Sequence, residues 1–411
     1  MSCLYVIPSF VCIKDIHKHI LLPSEEEDVS AQAQHEGPAD PGGGVVINKT
    51  LYKYISVVKE QIDVRIEQWD KYKKYTNPYE YIHTIIPSTK QSVSILKPIS
   101  RSFFKMIEIC SSLNLLEPFP ATNFKSFHLA EGPGGFIEAM AHMRKNPADT
   151  YYGMTLIDEG DQNVPGWRKS RHFLANNPNV IIETGIEKNG DLTKPENLRY
   201  CYETYKEQMD MVTGDGGFDF SFQYPNQEQI STRLILCQIA FAIAMQKPGG
   251  TFILKVYDTF TRLSLDLLYL LTNLYDEVCL IKPTTSRYAN SEKYVVCKRF
   301  RNINTLDIVK TFYKIISSSV PLIGNLFNFK LPYLFINKIE EYNAIIGQQQ
   351  IDTIVSTIYL IDNNNKYDKL EHIKKKNVQK CILWCQKYGI PHNVTIQTNN
   401  MFIPNLNRRQ I

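Results

Sequence analysis

The sequence lacks the long apolar runs, the leader signals and the skewed composition that mark several classes of protein. Its longest apolar stretches, such as Leu263–Leu274, are interrupted by Asp, Thr or Asn, and none approaches the roughly 20 apolar residues of a membrane span. The apolar Met1–Ile13 has no basic segment before it and no small-residue cleavage site after it, so we expect no signal peptide. Hydrophobic residues make up 43% and charged residues 21% of the 411 residues, which excludes a wholly disordered chain, a collagen-like repeat and a small disulfide-bonded scaffold.

The sequence also lacks an excess of charge of either sign and a paired cysteine pattern. The 46 basic and 42 acidic residues leave a net charge of +4, so a basic groove for nucleic acid has to be local. The nine cysteines are scattered through apolar segments, which predicts reduced, buried thiols and no disulfide-linked partner. A metal site at Cys381 and Cys385, with His372 and His392 nearby, is the alternative. Their helical spacing among apolar neighbours favours buried thiols, and we expect no metal.

The pattern divides the chain into four segments. Residues 1–45 form an N-terminal segment that contains a flexible stretch, acidic and then glycine-rich, at Pro23–Gly44. Residues 46–120 have mostly helical periodicity, and residues 121–300 alternate between strand and helix patterns. Residues 301–411 return to helical and irregular patterns, and the sequence assigns them no role.

Strands that alternate with helices in residues 121–300 predict an α/β fold with a doubly wound, largely parallel sheet. One predicted helix, Gln227–Gln246, has apolar residues on one face and is expected to stop at Lys247–Gly250. Another spans Leu263–Leu274. The predicted strands are Ser126–Ala130, Tyr152–Leu156, Val180–Glu183, Met209–Thr213, Thr251–Val256, Glu277–Lys282 and Tyr294–Arg299.

A glycine-rich loop follows the first of these strands and opens a helix. Ligands of doubly wound sheets bind beyond the carboxyl ends of the strands near the switch point, and this loop occupies that place. Pro133 takes a ligand-facing position and a third glycine is absent, so the loop is not the G-x-G-x-x-G of dinucleotide binding. A tight strand-to-helix turn without a ligand is the alternative. The loop consists of Glu131, Gly132, Pro133, Gly134, Gly135 and Phe136.

Three charged residues stand at or near predicted strand ends. Asp215 follows the fourth strand, Lys255 lies inside the fifth, and Glu292 precedes the last. A buried, unpaired ammonium is costly, so Lys255 is unexpected in an otherwise apolar strand. One interpretation is an edge strand whose lysine reaches solvent. The other is a lysine with a lowered pKa that acts near a proton transfer, with Asp215 and Glu292 as its partners.

The glycine-rich loop and the three charged residues belong to a larger series of sequence blocks. In chain order, the blocks are Asn77–Glu80, Ser102–Met106, Gly132–Phe136, Gly190–Asn197, Asp215–Phe218, Leu254–Lys255 and Lys282–Tyr294. Together they resemble the FtsJ/RrmJ-type RNA ribose 2'-O-methyltransferases. Within that family they resemble the cap-specific mRNA branch of eukaryotes and large DNA viruses. The resemblance covers Asn77 to Phe300, just over half the chain.

The resemblance implies a Rossmann-like methyltransferase sheet, mostly parallel with an antiparallel last strand, and helical additions at both ends. It also implies S-adenosylmethionine as the methyl donor, held by the loop Glu131–Phe136 and Asp215, with Asp191 near the adenine. A ribose hydroxyl is a poor nucleophile, and we expect Lys255, kept partly neutral by burial and by Lys105, to take its proton. The implied catalytic tetrad consists of Lys105, Asp215, Lys255 and Glu292.

Contacts to capped RNA are expected from residues 46–120 and from the block before the last strand. Lys73 is expected to face the cap phosphates, with a solvated helix face as the alternative. In the cap branch, acidic and amide residues after the Asp-Gly-Gly turn contact the cap base, and here that stretch, residues 218–225, is rich in aromatic residues. Tyr224 or Phe222 is therefore expected to stack on the methylated guanine, with local packing as the alternative. The other residues expected to bind substrate are Ser286, Arg287 and Asn290.

The function that follows is methylation of the ribose 2'-hydroxyl of the first transcribed nucleotide of capped mRNA. The alternatives are a 2'-O-methyltransferase of ribosomal or other structured RNA, and a catalytically silent RNA-binding scaffold subunit of a capping complex. Expected partners are capped mRNA and other capping enzymes or the transcription machinery, without a membrane. The high Ile, Lys, Asn and Tyr content fits an AT-rich genome such as that of a large cytoplasmic DNA virus. We expect a cytoplasmic location, in a viral factory or virion for a viral protein, with a nuclear location as the alternative.

Overall fold

A sheet of eight strands forms the centre of the protein. The computed structural model describes residues 3–8, 10, 12–23, 44–158, 160, 161, 164, 166–217, 227–319, 324–363 and 367–393. The strands are β1 (Cys3–Ile7), β2 (Lys125–Leu129), β3 (Thr150–Met154), β4 (Val180–Ile182), β5 (Met209–Gly214), β6 (Gln246–Val256), β7 (Tyr275–Lys282) and β8 (Lys293–Phe300). The helices are α1 (Lys49–Asp63), α2 (Ile66–Thr76), α3 (Ser102–Ser112), α4 (Gly135–Arg144), α5 (Arg171–Asn176), α6 (Pro195–Tyr205), α7 (Gln227–Met245), α8 (Arg262–Leu274), α9 (Leu306–Ser317), α10 (Tyr333–Asp362) and α11 (Tyr367–Lys387).

The strand order is β1-β7-β8-β6-β5-β2-β3-β4. The pairs from β4 through β3, β2 and β5 to β6 are parallel, whereas β8 lies antiparallel between β6 and β7. The α/β fold class and the antiparallel last strand are therefore confirmed. The chain visits β3 and β4 on one side of β2 before it crosses to β5 on the other, which makes the space between β2 and β5 the switch point of the sheet.

The sequence pattern does not predict β1. This strand lies antiparallel to β7 at the edge of the sheet, with Ile7 paired to Val278. Ile7 is buried, whereas Leu4 and Val6 are 45% and 56% exposed. A five-residue strand whose partner lies far along the chain leaves neither a turn signal nor a long alternation to detect.

The helix predicted at Gln227–Gln246 is confirmed as α7, but the residues after it do not form a simple stop. β6 begins at Gln246, directly after α7 ends. Met209 pairs with Gln246 and Met211 pairs with Thr251, so the intervening residues of β6 bulge out of the ladder. The glycines that suggested a helix stop lie in this bulge.

Among the described helices, α7 alone has the length and the apolar composition of a membrane span. Within its most apolar 18-residue window, 72% is buried inside the protein. A buried core helix passes the same test, so the composition of α7 carries no argument for a membrane.

Each face of the sheet has its own apolar core, because successive side chains of a strand point to opposite faces. In β5, Val212 belongs to a buried cluster shared with α7 and α8, and Met211 belongs to one shared with α3 and α4. The sheet is thereby covered on both faces, and the ends of its strands remain as the place for a site.

The helices that precede and follow the sheet pack on one another. Ile55 on α1 and Ile354 on α10 lie in a third buried cluster. Trp384 on α11 contacts Phe104 on α3 edge to face, with 5.9 Å between ring centroids. Helices α10 and α11 therefore share cores with α1 and α3, and the four-segment division remains a prediction.

The cysteines whose side chains the structure describes are all free thiols. Cys381 and Cys385 are buried on α11, and burial raises the pKa of the Cys385 thiol to about 12. Across the described ranges, no group of three or more His, Cys, Asp or Glu side chains is placed to hold a metal ion. Cys381 and Cys385 thus fit the interpretation as buried thiols.

Candidate active site

The carboxyl ends of β2 and β5 lie side by side at the switch point. Leu129 pairs with Gly214, and the Asp215 N–H donates to the Leu129 backbone oxygen at 3.3 Å. Glu131, which starts the glycine-rich loop, follows β2 at the same edge of the sheet. The loop and Asp215 thus meet where ligands of doubly wound sheets bind.

Lys255 lies on an interior strand, and its ammonium contacts Asp215. β6 has β5 on one side and β8 on the other, so the edge-strand interpretation of Lys255 is wrong. Lys255 Nζ donates to the Asp215 backbone oxygen at 2.7 Å and lies 3.3 Å from Asp215 Oδ1. Tyr294, the register partner of Lys255 on β8, donates its hydroxyl to the same Oδ1 at 2.9 Å. Asp215 is therefore held by side chains from two neighbouring strands.

Lys105 and Glu292 form a second buried pair beside the first. Lys105 Nζ lies 2.6 Å from Glu292 Oε1, and the two side chains are 7% and 11% exposed. Ser286 Oγ donates to the same Oε1 at 2.8 Å. Lys105 Nζ also lies 5.9 Å from the centroid of the Tyr294 ring, so Tyr294 contacts both pairs. The structure thereby brings all four residues of the predicted tetrad into one cluster.

The two lysines differ in the direction of their pKa shifts. Burial is the largest influence on Lys105 and lowers its pKa, and Glu292 and Asp215 offset this only in part. Burial also opposes the charge of Lys255, but Asp215 and then Tyr257 outweigh it and raise the pKa of Lys255. The groups of the protein itself therefore favour the charged form of Lys255, because its contact with the Asp215 carboxylate outweighs burial. The expectation that Lys255 is partly neutral is wrong in the absence of other charges in the site.

The carboxylate of Glu292 is held in its charged form. Burial opposes that charge, but Lys105 and then Lys255 hold the pKa of Glu292 below its usual range. At neutral pH the cluster therefore contains Glu292 as a carboxylate in contact with Lys105.

The loop between β7 and β8, which delivers Glu292, is tied to α3. Glu108, one turn after Lys105, accepts hydrogen bonds from the backbone N–H groups and hydroxyls of Thr284 and Thr285 at 2.7 to 3.1 Å. Helix α3 therefore binds both ends of the loop. Glu108 binds Thr284 and Thr285 at its start, and Lys105 contacts Glu292 at its end.

The same loop is tied to the helical region that precedes the sheet. Arg287 donates from Nε and Nη2 to the two carboxylate oxygens of Glu80 at 3.0 and 2.6 Å. Burial opposes the charge of Glu80, but the Arg287 fork holds its pKa below the usual range. The guanidinium of Arg287 is thus engaged inside the protein.

Glu131 anchors the glycine-rich loop with one carboxylate oxygen only. Its Oε1 accepts from the N–H groups of Phe136 at 2.6 Å and Ile137 at 3.2 Å. Its Oε2 is buried and has no hydrogen-bond partner among the described residues. Burial and then Asp215 raise the pKa of Glu131 well above its ordinary value. Buried polar atoms are nearly always bonded, so Oε2 marks a place for a polar or cationic ligand group.

The loop needs glycine because its backbone is crowded. A Cβ at Gly132 would lie 2.8 Å from the Gly166 backbone oxygen. Gly134 adopts φ +108°, a conformation that side chains disfavour. The loop therefore presents bare backbone at the switch point.

Asp191 lies on the turn that borders this loop. Its Oδ1 accepts from the N–H and the hydroxyl of Thr193, both at 2.8 Å. The turn is joined to the end of β3, because the Ile157 N–H donates to the Asn189 backbone oxygen at 2.8 Å. The Glu131 N–H donates to Met154 at the end of the same strand, at 3.3 Å. Asp191 and Glu131 therefore flank the carboxyl end of β3.

The residues predicted to bind substrate are in part engaged within the protein. Ser286 is fully buried against Glu292, and the Asn290 side-chain oxygen accepts from Lys282 Nζ at 3.1 Å. Lys73 on α2 forms an ion pair with Asp70 one turn before it. Tyr224 and Phe222 lie outside the described residues. The roles of these side chains toward substrate remain predictions.

Sequence reasoning missed three residues that build this cluster, namely Tyr294, Glu108 and Lys282. Lys282 is the first residue and Tyr294 the last residue of the sequence block that leads into β8, and the sequence pattern predicts no role for either. Glu108, like Lys105 one turn before it, is a charged residue among apolar neighbours on α3, with no exposure at all. A buried charge on an apolar element was the available signal, as it was for Lys255.

Comparison with known proteins shows what this part of the chain is similar to. Residues 98–300 match the family described as FtsJ-like methyltransferase. The chain is 32% identical over 240 residues to the cap-specific mRNA (nucleoside-2'-O-)-methyltransferase 1 of Mus musculus, across 56% of this chain and 28% of that protein. It is 39% identical over 172 residues to the protein of that name from Homo sapiens, across 41% of this chain and 20% of that protein.

A third relative carries a different name. The chain is 30% identical over 257 residues to the inactive cap-specific mRNA (nucleoside-2'-O-)-methyltransferase 1B of Caenorhabditis briggsae, across 58% of this chain and 29% of that protein. The chain therefore spans less than a third of the length of these relatives.

Proposed function

We propose, from the premise that residues 98–300 form an FtsJ-like methyltransferase domain, that the protein methylates the ribose 2'-hydroxyl of the first transcribed nucleotide of capped mRNA. The observation that carries the proposal is the meeting of two lysine–carboxylate pairs, Lys105–Glu292 and Lys255–Asp215, at the carboxyl edge of the sheet. The names of the mouse and human relatives support the mRNA cap as the substrate.

The glycine-rich loop is assigned to the methyl donor, S-adenosylmethionine, which supplies a methyl group on a positively charged sulfur. The partnerless Oε2 of Glu131 and the carboxylate of Asp215 fit a cationic ligand at the switch point. Asp191 on the bordering turn is assigned to the adenosine part. These residues bind and orient the donor, and the bare backbone of Gly132–Gly135 permits its close approach.

Lys255 is assigned to the attacking hydroxyl. Because its pKa is raised by Asp215, its ammonium first holds the hydroxyl oxygen by donating a hydrogen bond. Burial already disfavours this ammonium, so a further positive charge in the site favours its neutral form. Once the ammonium has released a proton to solvent, neutral Lys255 accepts the hydroxyl proton as the ribose oxygen takes the methyl group, which is the general-base role.

The remaining residues of the cluster orient these groups. Asp215 and Tyr294 fix the position of the Lys255 ammonium, and Glu292 fixes that of Lys105. The carboxylates also offset the positive charge that two lysines bring into a buried site. Because every partner is held by packed strands or by α3, the site needs little rearrangement for the reaction.

A methyl-transfer assay on matched RNAs tests the proposal. One short transcript carries a 7-methylguanosine cap, a second carries an unmethylated cap, and a third begins with a 5'-triphosphate. The proposal predicts transfer to the first RNA at the ribose of its first transcribed nucleotide. Equal transfer to all three RNAs, or transfer at internal positions, supports instead a methyltransferase of ribosomal or other structured RNA.

A silent RNA-binding scaffold is the second candidate, and the relative named as inactive is the observation that favours it. All four tetrad residues are present and in contact here, which favours the active enzyme. If purified protein binds the donor and capped RNA but transfers no methyl group to any of the three RNAs, the scaffold function replaces the proposed one.

A further inference from the structure

We propose that Lys282, the last residue of β7, is a positioning residue that holds Glu292 in place for Lys105. The inference deepens the proposed function and rests on it. Lys282 lies at the start of the loop 283–292, and Glu292 lies at its end. The lysine therefore closes the loop that delivers the carboxylate.

The ammonium of Lys282 donates its hydrogen bonds to this loop. Its Nζ donates to the Asn290 backbone oxygen at 2.8 Å, to Asn290 Oδ1 at 3.1 Å and to the Glu292 backbone oxygen at 2.7 Å. In its ammonium form Lys282 has three N–H groups, and each of them has an acceptor on the same short segment. The side chain is 1% exposed, so no water competes for these bonds.

Burial of the charged Lys282 side chain costs desolvation free energy. Within the described part of the chain, Lys282 forms no ion pair, and the charged groups that face it are Glu292, Lys293, Lys105 and Asp258. Burial is the largest influence and lowers the pKa of Lys282 to about 7. An apolar side chain of similar volume would fill the space at lower cost, so the oxygens that Lys282 binds are the reason for the lysine.

The consequence for the site follows from where these oxygens lie. Glu292 is held by Lys282 at its backbone and by Lys105 and Ser286 at its carboxylate. Without the ammonium, the backbone oxygens of Asn290 and Glu292 lose their partners and the segment shifts to find others. The Glu292 carboxylate then no longer meets Lys105 in the arrangement that the reaction needs.

A double-mutant cycle on the full chain tests this role. Lys282→Met is expected to lower kcat on capped RNA about 100-fold, the cost of a misplacement on the order of 1 Å, with donor affinity changed less than about 3-fold. In the Glu292→Gln background the same substitution is expected to cost less than about 3-fold, because the group that Lys282 positions is already gone. Single-turnover rates give both comparisons.

Lys293→Met is the matched control. Lys293 is adjacent in the chain, 2% exposed, and its ammonium donates to the Tyr257 backbone oxygen and not to the loop. Its effect on kcat is expected to be the same factor in the wild-type and Glu292→Gln backgrounds. If Lys282→Met also costs the same factor in both backgrounds, or leaves kcat unchanged, the positioning role is overturned.

A crystal structure of Lys282→Met separates this inference from the proposed function, because it needs no activity. A Glu292 carboxylate displaced beyond about 4 Å from Lys105 Nζ supports the positioning role, and an unchanged contact overturns it. Asn290→Ala removes one acceptor and keeps the lysine, so it serves if Lys282→Met does not fold. It is expected to lower kcat about 10-fold, again only when Glu292 is present, and an unchanged kcat overturns the role.

Discussion

Lys255 and Tyr294 face each other across β6 and β8, and both bind the side chain of Asp215. The lysine lies 3.3 Å and the tyrosine hydroxyl 2.9 Å from the same oxygen, Oδ1. The strand register alone produces this contact, because Lys255 and Tyr294 are paired residues and Asp215 directly follows the strand beside them. The strand pairing therefore places the carboxylate that raises the pKa of Lys255. A substitution of Asp215, at the end of the neighbouring strand β5, is expected to change that pKa.

The acid–base behaviour of Lys255 is expected to depend on Asp215. Asp215→Asn removes the carboxylate that raises the pKa of Lys255, and burial, which lowers it, then dominates. We expect the ascending limb of the pH–rate profile to move to lower pH by about 1 to 3 pH units, on a reduced plateau. Single-turnover rates on capped RNA between pH 6 and pH 10 measure it. An unmoved or more alkaline limb contradicts the assignment of Lys255 as the base.

Tyr294→Phe is expected to lower kcat about 10-fold while donor affinity stays within about 3-fold, because it removes one hydrogen bond to Asp215 and keeps the ring beside Lys105. Tyr275→Phe is the matched control. Tyr275 is also buried in the sheet, but its hydroxyl donates to Gln246, at the opposite end of β6 from Lys255. Equal losses for the two variants would show that Tyr294 acts only through stability.

Glu131→Gln is expected to separate donor binding from folding. The pKa of Glu131 is raised well above normal by burial and then by Asp215, which favours its neutral form, so a neutral amide there costs the fold little. We expect an unchanged or higher unfolding temperature without donor, and a donor affinity about 10-fold lower or more. Thermal unfolding with and without S-adenosylmethionine measures both. Glu138→Gln on α4 is the control, and a donor affinity equal to wild type in Glu131→Gln contradicts the assignment.

Acid is expected to destabilise the fold through His128. This histidine is fully buried on β2 between Ser126 Oγ and Thr213 Oγ1, each at 2.8 Å, and burial lowers its pKa from 6.5 to about 3. Between those pH values His128 is protonated in the unfolded chain but not in the folded protein, so the free energy of unfolding falls as pH falls. The expected contribution is about 2 kcal/mol lost between pH 7 and pH 5.

Urea unfolding of His128→Gln at the two pH values measures that contribution. The variant should lose less stability than wild type on acidification, by roughly the same 2 kcal/mol. His372→Gln, which alters an exposed histidine on α11, should behave as wild type. An identical pH dependence in His128→Gln and wild type contradicts this account of acid sensitivity.

The sheet and the cluster were predictable because local patterns encode them. Apolar runs separated by turn residues mark β2 through β8, and Lys255 stands out as a charge within such a run. What escaped prediction depends on contacts between distant segments. β1 pairs with a strand at the other end of the domain, and the direction of the Lys255 pKa shift depends on a 3.3 Å distance to Asp215. The role of Lys282 likewise appears only when its acceptors are known.

The most direct test of the central claim is methyl transfer by wild type and Lys255→Ala to a short capped RNA, with the modified nucleotide mapped and donor binding measured in parallel. The account predicts that wild type adds one methyl group at the 2'-oxygen of the first transcribed nucleotide. It predicts that Lys255→Ala binds the donor within about 3-fold of wild type and loses transfer by about 100-fold or more. Retained transfer in Lys255→Ala, or a methyl group elsewhere on the RNA, contradicts it.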